Sequence, residues 1–181
     1  PAPFPRMSYQ GAVDRYGSDK PDTRFGLEFV DLSSVFAGTE FKAFASVLES
    51  GGQIKGINAK GAAGLSRREL DELFEFAKEF GAKGLAYFQL TPEGLKSPIT
   101  KFLSEDAQAA LKAAMGAEEG DLLLLVADTP QIVARALGRL RLRLGDQLGL
   151  IPEGKWNFLW VVDFPLFEWN EETQQIDMMH H

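Results

Sequence analysis

The run Asp121-Leu-Leu-Leu-Leu-Val-Ala127 constrains this chain most. Six apolar residues stand together between turn-forming flanks, a length that favours a buried strand over a buried helix. Thr129 follows at an N-cap position, with Pro130 at the first helical position. Ile132, Val133, Ala136, Leu137, Leu140 and Leu144 then recur at helical spacing toward Gly145. Arg135, Arg139, Arg141 and Arg143 load the C-terminal half of this helix, where cations favour the dipole.

A second helix is signalled as clearly. Ser66 and Glu69 have capping-box spacing, and Leu70, Leu73, Phe74 and Ala77 mark one face before Phe80 and a terminating Gly81. Ser104 heads a third helix, with Ala107, Ala110, Leu111, Ala114 and Met115 inward and Gly116 at its end. A strand is expected over Gly84–Leu90, followed by a turn at Thr91-Pro92-Glu93-Gly94 and a short strand resuming at Leu95. Phe41, Phe44, Ala45 and Val47, the Ser50-Gly51-Gly52 turn and Gln53–Ala59 read as a hairpin. Residues 1–34 are poor core material, with one short helix at Ser8–Tyr16 whose Ala12 and Val13 face inward. Trp156–Phe164 is a further strand candidate, and Glu168–Asp177 is polar and loop-like. Strands mixed with helices, with no face pattern calling for helices along a parallel sheet, predict an α+β two-layer sandwich.

Composition narrows the function. A net charge of -7 excludes a uniformly basic nucleic-acid surface but not a local basic patch. The absence of cysteine removes disulfides, thiol catalysis and cysteine-based metal sites, and fits a reducing compartment. No apolar run approaches a membrane span, and Pro1–Met7 is not a secretory signal. The chain lacks an initiator Met and starts and stops abruptly, so an excerpt of a longer protein is expected.

Few residues are candidates for chemistry. His180 and His181 are adjacent and terminal, and neighbouring side chains diverge in a strand, so they do not form a spaced zinc pair; a tag remnant or incidental pair stands against a functional one. Asp163 and Glu168 could bind magnesium or act as acid and base, although surface solvation is the plainer reading. Gly17–Phe25, reading GSDKPDTRF, gathers Ser18, Asp19, Lys20, Asp22 and Arg24; Lys20 could meet a phosphate or carboxylate, against the plainer reading of a salt-bridged link. Arg135, Arg139 and Arg143 lie at helical spacing and could touch a nucleic-acid backbone, against a solvated face. Lys55–Lys60 with Gly61 and Gly64 satisfies neither GxxxxGK[ST] nor GxGxxG, and those glycines suit turns. There is no GxSxG and no HExxH.

Three segments carry a family resemblance. PFPRMSYQGAVDRYGSDKPDTRFGLEF, residues 3–29, resembles the stretch after motif 2 of bacterial aspartyl-tRNA synthetases. WVVDFPLFEW, residues 160–169, resembles the return to their catalytic core before motif 3, and MHH at 179–181 resembles the start of their MHHPFT segment. The middle resembles the GAD domain, which that family shares with a tRNA-dependent amidotransferase subunit. The resemblance covers essentially the whole chain and keeps the family's order.

The resemblance implies three parts: residues 1–34 and 153–181 as incomplete segments of a class II antiparallel catalytic domain, and residues 35–152 as a DCoH-like two-layer insertion. It implies a cytoplasmic, homodimeric parent that activates L-aspartate with ATP and Mg2+ and transfers it to tRNA(Asp). It places His180 and His181 near ATP and aspartate, and Ser18, Asp19, Lys20 and Asp22 in a loop adjoining the substrate pocket. The insertion is expected to need no cofactor or metal and to support or gate access of the tRNA acceptor end. The motif 2 and motif 3 arginines, motif 1 and the anticodon-binding barrel are missing, and QQIDM departs from the family's residues before MHH. The fragment is therefore expected to be inactive alone. The alternative is a free-standing GAD-like interaction module, which would need neither DFPLFEW nor MHH.

Overall fold

The computed structural model describes residues 3–170 and 173–179. Its centre is a five-stranded antiparallel sheet in the order β2 (Val30–Asp31), β3 (Gln53–Ala59), β6 (Leu122–Asp128), β4 (Ala86–Thr91), β5 (Gly94–Lys96). The leucine run is the middle strand, and it is buried on both faces. Leu122, Leu124 and Val126 join Ile57 and Ala59 under α3 (Arg67–Glu79) and α5 (Pro130–Gln147). Leu123 and Leu125 join Ile54 and Phe88 on the other face, under α2 (Lys42–Glu49) and α4 (Glu105–Met115). Helices thus cover both faces, and the expected two-layer sandwich is corrected to three layers. A strand that is apolar without alternation has to be covered on both sides.

The expected caps occur. Ser66 and Glu69 form the reciprocal capping box of α3, and Ser104 accepts from the Ala107 amide at the start of α4. Gly116, at φ +52°, ends α4. Thr129 takes the N-cap place of α5 without a side-chain hydrogen bond, and the helix runs through Gly145 to Gln147.

Two local expectations are corrected. Residues 42–49 form helix α2 rather than the first strand of a hairpin; Phe41, Phe44 and Leu48 recur at helical spacing and pack on the α4 face. Glu168–Asp177 belongs to a hairpin, β8 (Phe167–Asn170) with β9 (Gln175–Met178), in which Phe167 pairs with Met178. Opposite residues of an antiparallel pair share a face, so pairing gathers these apolar residues on one side.

The first 34 residues also hold more core than expected. After β1 (Arg6–Ser8), helix α1 (Tyr9–Tyr16) starts on the Ser8 cap and ends on Gly17. Ala12, Tyr16, Phe25, Phe29 and Leu32 are buried, and Phe29 belongs to the α5 side of the core. Val13, expected to face inward, is half-buried. Finally, β1 pairs in parallel with β7 (Trp160–Val162), with Met7 opposite Val161.

Candidate functional site

The 17–26 loop is built between the end of α1 and the flank of α5. Ser18 Oγ accepts from the Lys20 amide at 3.0 Å, a local turn that leaves Lys20 exposed. Asp22 accepts from the Arg24 amide and from Arg24 Nε and Nη2, the last at 2.7 Å. That fork and its hydrogen bonds hold the Asp22 carboxyl below its ordinary value despite partial burial. Asp22 and Arg24 thus form the salt-bridged link, while Asp19 and Lys20 border solvent on the same turn.

The loop is tied to α5 by Arg141, whose place among the helix arginines suggests a solvated side chain. It is instead 1% exposed. Its Nη2 donates to the carbonyls of Asp22, Phe25 and Gly26 at 2.8, 2.7 and 2.7 Å. Its guanidinium lies 4.0 Å from the centre of the Phe25 ring and 4.8 Å from that of Tyr16. Burial pulls it below its ordinary value, opposed by Tyr16, Asp22 and Glu28. Spacing is the one sequence signal for this burial: Arg141 lies three residues after Gly138 and four before Gly145, both buried, and Gly145 packs against the Phe25 ring.

The other three arginines follow the seam with α3. Arg135 Nε donates to the Phe80 carbonyl at 3.0 Å, at the end of α3, and Arg139 lies over the Phe80 ring. Arg143 lies 4.6 Å from the centre of the Phe76 ring, in a groove shared with Arg67, Arg68, Asp71, Glu72, Glu75 and Glu79. The Arg135 side chain makes its bond at the surface, and Arg139 is likewise at the solvent edge of the seam. The Lys55–Gly64 segment forms internal contacts: Lys55 Nζ donates to Asp14 Oδ1 at 3.0 Å, and Lys60 reaches Asp121. Gly61, at φ +70°, donates its amide to Asp121, consistent with the turn expected there.

At the C-terminal flank, Asp163 is exposed at φ +59°, directly after β7. Glu168 lies on β8 in register with Asp177. His180 and His181 lie outside the described residues. Asn157 Nδ2 donates to the Thr23 carbonyl at 3.0 Å, so this flank touches the 17–26 loop.

A family model described as the GAD domain matches residues 44–137, more than half of the chain. The chain belongs to the GAD-domain family. The matched region begins in α2 and ends within α5, so it contains strands β3 to β6 and the whole of α3 and α4, with β2 outside it. Similarity continues beyond it. The chain is 53% identical over 180 residues to an aspartate--tRNA ligase of Halalkalibacterium halodurans, matching 99% of this chain and 30% of that protein. It is 56% identical to an aspartate--tRNA(Asp/Asn) ligase of Bacillus anthracis, over 99% of this chain and 31% of that protein. An aspartate--tRNA ligase of Geobacillus kaustophilus is 55% identical over 100% of this chain and 31% of its own length. The chain therefore spans about a third of the length of these relatives. Among solved structures, a hypothetical protein from Pyrococcus horikoshii OT3 is 18% identical, with a TM-score of 0.39, over 59% of this chain and 63% of that one, too distant to carry a functional reading.

Proposed function

We propose that this chain is the central part of an aspartate–tRNA ligase, a GAD domain inserted between two catalytic-domain segments. The observation that carries the reading is the parallel pairing of β1 with β7. It brings together the segments that lead into and out of the GAD body, as an insertion into another domain requires. Similarity to the ligases across both flanks supports it and weighs against a free-standing GAD module. So does the surface: Phe4, Trp156, Phe158, Trp160, Leu166 and Phe167 are all more than half exposed, and all lie in the flanks. Exposed apolar area on that scale marks a surface that is normally covered.

In this reading residues 153–181 and the segment before β2 belong to the catalytic domain, and the insertion begins at β2 rather than at residue 35, because Val30–Asp31 pair with β3 and Leu32 lies in the core beneath α2 and α4. The whole enzyme would join L-aspartate to ATP, release pyrophosphate, and pass the aspartyl group to tRNA(Asp), as a cytoplasmic homodimer. Among the described residues no cluster of three His, Cys, Asp or Glu side chains is placed to hold a metal. Mg2+ would enter with ATP, as the counter-charge of its phosphates. Ser18, Asp19, Lys20 and Asp22 would border the substrate pocket, and His180 and His181 would lie near bound ATP and aspartate. Arg135 and Arg139 are exposed cations available to a tRNA backbone, while Arg143 is half-buried in a groove of mixed charge, where Asp71, Glu72, Glu75 and Glu79 compete with a phosphate for it and for Arg67 and Arg68. Supporting or gating the tRNA acceptor end is the role proposed for the insertion. No helix among the described residues is long and apolar enough to cross a membrane.

Aspartate-dependent ATP–pyrophosphate exchange tests the reading. The chain extended on both sides to the length of its relatives should exchange, and residues 1–181 alone should not. Exchange by the short chain, or none by the extended one, overturns it.

A further inference from the structure

Arg141 is a buried cation with no ion-paired carboxylate among the described residues. A charge in such a place is costly unless hydrogen bonds replace its water. Here the replacement is partial and comes from one segment: three carbonyls between Asp22 and Gly26 converge on Nη2, Phe25 and Tyr16 stack on the guanidinium, and Nε has no hydrogen-bond partner. A neutral side chain of similar volume would fill the space and leave those carbonyls without their donor. Arg141 therefore fixes the backbone of the loop that presents Asp19 and Lys20. Asp19 and Lys20 are consecutive on that loop and supply one charge of each sign, the complement of the ammonium and carboxylate of a free amino acid.

We propose that Arg141 is a positioning residue for amino-acid binding: through it, helix α5 sets the geometry of the 17–26 loop and hence of Asp19 and Lys20. The assignment rests on the ligase reading. It gives the insertion a direct part in the aspartate site, separate from any contact with tRNA.

The test uses the extended ligase with Arg141→Met, Arg141→Lys and, as a comparator that damages the same helix, Leu137→Ala. Pyrophosphate exchange is measured with aspartate and ATP varied in turn. Arg141→Met should raise KM for aspartate at least tenfold, with kcat and KM for ATP changed less than threefold. Arg141→Lys should recover part of the loss, and Leu137→Ala should leave KM for aspartate within twofold. If Arg141→Met does not fold, Arg141→Lys decides, with a rise of threefold or more expected. In the 181-residue chain, amide exchange at residues 17–26 should accelerate selectively in Arg141→Lys. An unchanged KM for aspartate in an active, folded Arg141 variant overturns the proposal, as does an equal rise in Leu137→Ala. No exchange by the extended wild-type enzyme is a different failure, since it overturns the ligase reading and the proposal with it.

Discussion

A Cβ placed on Gly138 would lie 3.1 Å from the carbonyl oxygen of Gly17, so α5 and the end of α1 meet backbone to backbone. Gly17 is the more demanding partner. It sits at φ +70°, and a Cβ there would run into the Ala134 carbonyl. Gly17→Ala combines left-handed strain with overpacking and should cost roughly 2–4 kcal/mol. Denaturant unfolding of the 181-residue chain measures this; a loss below about 1 kcal/mol would show that α1 lifts off α5 without consequence.

Asp121 should be the most sensitive carboxylate of the body. It is 3% exposed and accepts from the amides of Gly61 and Glu118, from Asn58 Nδ2 and from Lys60. Burial raises its pKa, but these donors outweigh burial and hold it below the ordinary value. The lowered folded pKa means that the stabilisation is present above the unfolded carboxylate pKa and is lost as pH falls through the folded one. Asp121→Asn turns a donor toward one of its present donors and should destabilise by about 2–3 kcal/mol near neutral pH. Its stability should also fall less than wild type's as the solution is acidified through the carboxylate range. Parallel acid limbs for the two proteins would contradict this account.

The uncovered flanks should make the isolated chain sticky. Phe158 is 62% exposed and Phe167 59%. The 181-residue chain is expected to bind an apolar dye and to associate at micromolar concentration. Phe158→Ser with Phe167→Ser should reduce both effects with a change in stability under about 0.5 kcal/mol. Dye binding by the extended enzyme should be lower per molecule, because its added residues would cover the same side chains.

The helix α5 arginines should divide by their surroundings. In the extended ligase, Arg135→Ala with Arg139→Ala should raise KM for tRNA severalfold and flatten the salt dependence of binding by about one unit of slope for each phosphate no longer neutralised. Pyrophosphate exchange should stay within twofold of wild type. Arg143→Ala should leave tRNA binding unchanged. Equal effects from all three would point instead to disruption of the α3–α5 seam.

The regular elements are legible in the sequence where one residue determines one interaction. Ser66 and Glu69 specify the start of α3, and Ser104 and Gly116 bound α4. The leucine run locates β6, but its lack of alternation also demands a third layer, and the apolar faces that supply it are scattered over α2 and α4. Residues 42–49 are too short a stretch for periodicity to separate strand from helix, and tertiary packing of Phe44 decides it. The GSDKPDTRF loop is visible as a cluster of charge. The contact between Asp22 and Arg141 is not, because 119 residues separate them and alternating Arg and Leu hide which arginine turns inward.

The pairing of β1 with β7 also sets an order of events during synthesis. Met7 is incorporated about 150 residues before its partner Val161, roughly ten seconds or more at ordinary elongation rates. Over that interval the first strand has no seventh strand to join, whereas β3, β6, α3 and α5 can already close around the leucine run. The sheet and the helices packed on it are then the scaffold that forms first and brings β1 and β7 to one another.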